Sequence, residues 1–206
     1  PFPYTTLFRL DDQDLYDAAM SGLNLLSAVH GGAERQDSVR KGLESLEELS
    51  PLNVLIHDSV RPFVSHTLID RILNMLENGT GCVPGLPIMD AIKMVDGGQI
   101  VKSLERPKTW RIQTPQGFRF TQILAAHRSH IGNNLADDAA VAEAFGLSVN
   151  VVQGLLDNEK ITNKDDLEKA MQKHSLKKPD IRVGNGYDVH RFSKGNFVTI
   201  CGIKIP

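Results

Sequence analysis

The chain has 206 residues, 41% of them hydrophobic and 23% charged, with a formal net charge of −2. Those figures describe a globular chain with room for one ample core, or one domain and a piece of another. They exclude a strong electrostatic field for nucleic acid or an anionic membrane, and no apolar run is long enough to cross a bilayer. The two cysteines, Cys82 and Cys201, lie far apart and form no metal-spaced pair. A cytoplasmic setting is therefore expected, with neither nucleic acid nor membrane as partner.

Residues 1–10 open with Pro-Phe-Pro-Tyr-Thr-Thr-Leu-Phe-Arg and no initiating Met. They resemble a translated sequencing adapter, so they are read as an artefact and left out of the fold reasoning. From Asp11 to Leu23, Leu15, Ala18, Ala19 and Leu23 recur at helical spacing, and Leu25 to Val29 reads as a strand. Gly31–Gly32 then permits a turn and close approach of a ligand to the backbone. Val39, Leu43 and Leu46 mark the following helix, whose first turn carries Asp37 and Ser38. Such a helix start offers free N–H groups and a hydroxyl to a ligand. The alternative is that Asp37 or Ser38 is simply an N-cap.

The stretch Val54–Leu55–Ile56–His57–Asp58–Ser59–Val60–Arg61–Pro62 organises the rest. A short apolar run ending in a carboxylate and a guanidinium reads as a strand buried on both faces, as in a parallel sheet. In such sheets ligands bind beyond the carboxyl ends of the strands. There Asp58 could hold a divalent cation or a substrate hydroxyl, and Arg61 could grip a phosphate. A helix-capping Asp and a surface Arg are the competing reading.

Ser65 is placed to cap a helix carrying Leu68, Ile69, Ile72, Leu73 and Leu76, which Asn78–Gly79 stops. Gly81 to Val83 reads as a strand broken by Pro84–Gly85–Leu86–Pro87. Residues 90–95 and 99–103 flank Asp96–Gly97–Gly98, a strong hairpin signal. A hairpin inserted in an α/β chain projects from the body, so the segment around 90–106 is a candidate dimerisation arm. Helices are expected over Thr121 to His130 and Asp137 to Phe145, and a strand over Ser148 to Val152. Thr162 with Asp165 reads as a capping-box start for a helix through Met171. A basic linker, 174–180, follows. The pattern then changes: a new strand begins at Ile181 and leads into Gly186–Tyr187–Asp188–Val189–His190, and Asn196 to Ile205 reads as one further strand. That strand looks cut off before its partner, so the chain is expected to be a fragment.

Four of these motifs occur together in order: Gly31–Gly32–x–x–Arg35–x–Asp37–Ser38–Val39, His57–Asp58–x–x–Arg61–Pro62, Thr114–Pro115–Gln116 and Lys160–Ile161–Thr162. Through them residues 11–173 resemble the 2-C-methyl-D-erythritol 4-phosphate cytidylyltransferase family. Residues 181–206, with Gly-Tyr-Asp-Val-His, resemble the start of the 2-C-methyl-D-erythritol 2,4-cyclodiphosphate synthase family. In this order the two resemble the bifunctional bacterial fusion.

The resemblance implies an α/β, Rossmann-like nucleotidyltransferase domain with a projecting β-arm, followed by the first strands of an α+β cyclase domain. It implies transfer of CMP from CTP to methylerythritol phosphate with Mg²⁺, and a homodimer formed through the arm. Arg106 and Lys160 match positions that place the substrate phosphate for attack, with Arg106 reaching the partner's site. Asp58, Arg61 and Thr114 match substrate-contacting positions, and Gly32 and Ser38 match the wall around the cytosine base. Asp188 and His190 match two ligands of a zinc or similar divalent ion in the cyclase, a trimer in its family. Catalytic zinc takes three protein ligands, and no His follows His190 here.

The family's N-terminal Gly-rich loop and its strand have no counterpart upstream of Asp11, so residues 11–206 made alone are expected to lack activity. Ala91 and Ala136 stand where some members carry Thr. Two other readings compete. One is a non-catalytic nucleotide-binding or assembly module. The other is a sugar-phosphate nucleotidylyltransferase with a different base and acceptor.

Overall fold

A computed structural model describes residues 7–8, 13–174, 196–200 and 203–205. The chain divides into two compact units, Pro1–Leu167 and Glu168–Pro206.

In the first unit, β1 (Leu7–Phe8) pairs in parallel with β2 (Val29–His30). Between them lies α1 (Gln13–Met20). The strand expected over Leu25 to Val29 is thus confined to its last residue and His30. Next come α2 (Arg35–Ser45), β3 (Asn53–Ile56), α3 (His66–Leu76) and β4 (Gly81–Pro87). The hairpin β5 (Lys93–Asp96) and β6 (Gln99–Ser103) follows, then a 3₁₀ turn over Arg106–Lys108. The chain returns to the body with β7 (Trp110–Ile112), β8 (Gln116–Arg119), α4 (Phe120–Ser129), α5 (Asp138–Ala144) and β9 (Val149–Gln153). The last helix, α6 (Lys164–His174), runs across the division between the units.

The main sheet is mixed. β8 lies antiparallel between β3 and β4, and β9 runs parallel to β4. β3, β4 and β9 therefore point the same way, and their carboxyl ends open on one edge. β7 continues the line of β8 along β4, so the two are halves of one strand interrupted at Gln113–Pro115. The Thr114–Pro115 peptide in that interruption is cis.

Two expectations change here. The Val54–Ile56 run is neither fully buried nor in a purely parallel sheet. Its residues are half-buried, and its one neighbour among the described residues is the antiparallel β8. Its apolar character is explained by helices on both faces. Val54 and Ile56 pack against the core built by α2, α4 and α5, and Leu55 packs against the α3 side. β4, in turn, continues through Pro84 to Pro87 instead of breaking. Within a strand a residue's N–H and C=O share an edge. The Pro84 carbonyl accepts the Gln113 N–H at 2.8 Å, so the donor that proline lacks would face the β7–β8 interruption, where no ladder needs it.

Helix starts follow local chemistry. Ser65 Oγ accepts the Leu68 N–H at 3.2 Å, and Asp137 Oδ1 accepts the Ala140 N–H at 2.9 Å. The capping box of α6 falls one residue later than expected. Asn163 Oδ1 accepts from Asp166 N at 2.8 Å, and Asp166 Oδ2 accepts from the Asn163 N–H and from both Thr162 donors. Thr162 supports the box and Asn163 is the cap. The hairpin turn has Gly97 at φ 53° and Gly98 at φ 81°, the two positive values that a two-residue turn of this twist requires. Every residue of β5 and β6 is exposed, including Met94, Val95, Ile100 and Val101.

In the second unit, two short strands stand where one was expected over Asn196 to Ile205. β10 (Val198–Ile200) and β11 (Ile203–Ile205) pair antiparallel. Lys204 Nζ sits 4.6 Å from the centre of the Phe197 ring. The linker 174–180 falls outside the described residues save for His174, and Asp188 and His190 fall outside them altogether.

Candidate active site

The site grows from the carboxyl ends of β3 and β9 and from the interruption between β7 and β8. Asp58 lies two residues past β3. Its backbone N–H donates to Thr114 Oγ1 at 3.0 Å, which ties the end of β3 to the interruption. Thr114 Oγ1 also lies 3.0 Å from His57 Nδ1, and His57 Nε2 lies 3.0 Å from the Arg61 carbonyl. A carbonyl only accepts, so Nε2 carries the proton. Partial desolvation of the ring depresses the His57 pKa, with the Arg61 carbonyl and Asp58 opposing. The neutral ring then leaves Nδ1 to accept the Thr114 hydroxyl. Thr114 is buried and its hydroxyl is engaged inside the protein, fixing the loop that presents Asp58.

Three cations converge on the Asp58 carboxylate, whose side chain is 17% exposed. Lys160 Nζ stands 3.2 Å from Oδ2, Arg35 Nη2 3.6 Å from Oδ1, and Arg61 Nε 3.9 Å from Oδ2. They come from three places: the loop after β9, the start of α2, and the loop after β3 itself. The Arg61 side chain is 11% exposed and donates through Nη1 to the Asn158 carbonyl at 2.9 Å. Burial lowers its pKa against the pull of Asp58, and Arg111 adds repulsion. Arginine nonetheless stays charged at any working pH. The Lys160 side chain is 46% exposed. Its loop is pinned by the Ile161 N–H to the Val60 carbonyl at 2.8 Å.

The supporting residues went unassigned in the sequence reading. Asn158, fully buried, donates to the Thr114 carbonyl at 2.8 Å, and its own carbonyl takes Arg61 and Gln113. Gln113, also buried, grips the Leu155 backbone through both ends of its amide, at 2.8 and 3.1 Å. These amides lock the loop after β9 onto the interruption in the β7–β8 strand. The signal for them was present in Gln113–Thr114–Pro115–Gln116 and Asp157–Asn158–Glu159–Lys160, but only burial distinguishes a structural amide from a solvated one. Arg35 stood in the first motif without a role.

Gly32 and Ser38 meet as well. The Gly32 N–H donates to Ser38 Oγ at 2.9 Å, and Ser38 donates to the Glu34 carbonyl at 3.1 Å. Neither Asp37 nor Ser38 is the N-cap of α2; that position is Glu34, whose side chain makes no cap bond. A Cβ on residue 32 would sit 2.3 Å from Asp37 Cβ, so the turn closes only with glycine there. Arg35 begins α2 and joins this turn to Asp58. Arg106 is not part of the cluster. It is exposed at the base of the hairpin, where Nη1 lies 3.3 Å from the Met89 carbonyl. Asp58, Arg61, Thr114 and Lys160 are therefore brought together, Gly32 and Ser38 form an adjoining turn, and Arg106 stands apart.

Comparison with known proteins identifies the family and the fold. The family model for IspD, 2-C-methyl-D-erythritol 4-phosphate cytidylyltransferase, matches residues 7–173. The bifunctional enzyme IspD/IspF of Rhodospirillum rubrum is 52% identical over 197 residues, covering 95% of this chain and 51% of that protein. Its counterpart in Paramagnetospirillum magneticum is 48% identical over 198 residues, with the same coverage. Alignments of that length run past Lys173, where the family match ends. The chain spans about half the length of the curated relatives it matches. Among solved structures, a 4-diphosphocytidyl-2C-methyl-D-erythritol synthase from Anaerococcus prevotii superposes with a TM-score of 0.76 at 27% identity, covering 84% of this chain and 81% of that one. The bifunctional IspDF from Campylobacter jejuni gives 0.66 at 25% identity, covering 82% of this chain and 42% of that one. With the family match spanning most of the residues and its fold shared by these structures, the chain belongs to the 2-C-methyl-D-erythritol 4-phosphate cytidylyltransferase family.

Proposed function

We propose that the protein carrying this chain transfers CMP from CTP to 2-C-methyl-D-erythritol 4-phosphate. The phosphate of the acceptor attacks the α-phosphorus of CTP; the new P–O bond forms as the bond to the β-phosphate breaks, and pyrophosphate leaves. The observation that carries this reading is the convergence of Lys160, Arg35 and Arg61 on Asp58 at the strand ends. Negative charge accumulates around the phosphoryl oxygens in such a step; Lys160 is the preorganised cation that lowers its barrier, and Arg35 and Arg61 serve binding of the acceptor. Lys160, tethered yet half-exposed, is assigned to the attacking phosphate. Asp58 and Arg61 hold the acceptor, and Thr114 keeps their loop in place. The Gly32–Ser38 turn forms the wall beside the cytosine base.

The described residues hold no group of three or more metal-ligating side chains, and Asp58 already faces three cations. They do not fit a protein-held Mg²⁺. A Mg²⁺ arriving on the triphosphate would be held chiefly by phosphate oxygens and water, not by a cage of protein ligands.

Arg106 is assigned to the partner's site across a homodimer built on the arm, a reading supported by the exposed apolar residues Met89, Met94, Val95, Ile100 and Val101. Residues 181–206 are assigned to the start of a cyclodiphosphate synthase domain that closes 2-C-methyl-D-erythritol 2,4-cyclodiphosphate with loss of CMP. Asp188 and His190 are two of its ligands for a zinc-like divalent ion, and that domain contributes a trimer. No helix among the described residues is long and apolar enough to cross a membrane, and the proposed location is cytoplasmic.

The test is His190→Ala in the full open reading frame that encodes this chain. Loss of the cyclase step with cytidylyl transfer kept is the expected result. Equal damage to both activities would contradict two separable sites.

A further inference from the structure

Beyond the cluster on Asp58 lies a buried carboxylate that the proposed transfer does not use. Asp138 opens α5 and its side chain is 1% exposed. Arg35 Nη2 donates to Asp138 Oδ2 at 2.7 Å, and the same nitrogen stands 3.6 Å from Asp58 Oδ1. One guanidinium nitrogen is thus shared between a buried carboxylate and the carboxylate of the site. On the far side, His127 Nε2 from α4 lies 3.2 Å from Asp138 Oδ1, and that histidine is fully buried.

The Arg35 side chain is 42% exposed. A long side chain on a helix surface keeps many rotamers, and a weak contact at 3.6 Å does not select among them. A short charge-assisted hydrogen bond to a buried partner does. That partner is itself held rigidly. Gln116 opens β8, opposite Ile56 at the end of β3. It donates to Asp137 Oδ2 and accepts the Ala139 N–H, both at 2.9 Å. The ladder that places Asp58 therefore also places Asp138.

We propose that Asp138 is a positioning residue: it aims Arg35 at Asp58 and thereby sets how tightly the site holds its acceptor. This rests on the transfer reading above for its consequence, but not for its geometry. Arg35 then acts on binding more than on the phosphoryl step, so its loss belongs in KM.

Two measurements test it. The first is side-chain ¹⁵N–¹H NMR of the arginines, with the Arg35 signals assigned by Arg35→Lys. Hindered guanidinium signals of Arg35 are expected in the wild type and in Asp58→Asn, and averaging to those of a free arginine in Asp138→Asn. Retention in a folded Asp138→Asn protein, or averaging in Asp58→Asn, would overturn the proposal. The Asp58→Asn arm decides even where Asp138→Asn does not fold.

The second is steady-state kinetics of the full open reading frame product. Asp138→Asn and Arg35→Gln should each raise KM for methylerythritol phosphate about tenfold, with kcat within about twofold, and the double variant should be no worse than either. An additive loss of roughly a hundredfold, or a fall confined to kcat, would overturn the positioning role. A wild type that releases no pyrophosphate would remove the transfer reading, while the NMR result still decides whether Asp138 aims Arg35.

Discussion

Lys160, Arg35 and Arg61 crowd around Asp58 more closely than neutrality requires, which leaves positive charge available to an anionic ligand. Lys160 has the shortest of these contacts and the most exposed ammonium of the site. Lys160→Ala should lower turnover by about a hundredfold or more if it stabilises charge in the transition state. A loss under about threefold in a steady-state assay would remove it from the site. His57 makes a second prediction. Its folded pKa is depressed below the unfolded value of about 6.5, so the unfolded chain binds more protons between the two. Stability is therefore full above about pH 6.5 and is lost as the pH falls toward the folded value. Urea midpoints measured across pH 7.5 to 5 should decline for the wild type and stay flatter for His57→Gln. Equal slopes would show that the ring is not held neutral by the Thr114–Arg61 bracket. At this scale Asp58, Arg61, Thr114 and Lys160 were legible because their motifs mark them. Asn158, Gln113 and Asp138 were not, because an amide or carboxylate declares itself structural only once three-dimensional packing removes it from water.

Elements were legible where a local rule operates alone. Ser65 caps α3 as its position announces, and Ser65→Ala should cost about 1 kcal/mol of stability, read from a denaturation curve. An unchanged midpoint would mean that the cap is redundant. The Gly97–Gly98 hairpin also follows directly from its turn chemistry. Rules failed where tertiary context overrides them. Proline normally breaks a strand, yet β4 runs through Pro84 because the missing donor faces an interruption in the neighbouring strand. Residues 196–205 read as one strand because both halves are β-branched and apolar, although the alternation of Val198 and Ile200 changes phase at Ile203 and Ile205. The hairpin makes the testable claim at this scale. The homodimer proposed through the hairpin predicts a dimer in sedimentation for the full open reading frame product with its wild-type hairpin, and loss of that contact when Ile100 and Val101 are replaced with Glu, with the β-sheet domain still folded. A dimer that survives both charges would place its interface elsewhere.

At the scale of the molecule, a mixed sheet with α3 on one face and α2, α4 and α5 on the other carries its loops to a single edge. Asp58, Thr114 and Lys160 are far apart in sequence, yet β3, the interrupted β7–β8 strand and β9 deliver them to that edge, and Arg35 at the start of α2 ties the Gly32 turn to Asp58. The α/β class was legible from the alternation of apolar runs and helical periods. The antiparallel insertion of β8 was not, because pairing partners are long-range choices that a run of apolar residues does not record. Cytidylyl transfer is the function proposed for this edge. The most direct measurement is pyrophosphate release from CTP and methylerythritol phosphate by the product of the full open reading frame, wild type against Lys160→Ala. Release that requires both substrates, rejects other nucleotides and falls about a hundredfold in the variant is the predicted result. CTP binding without pyrophosphate release, or release with another nucleotide and acceptor, would contradict it in favour of a binding module or of a nucleotidylyltransferase with a different substrate pair.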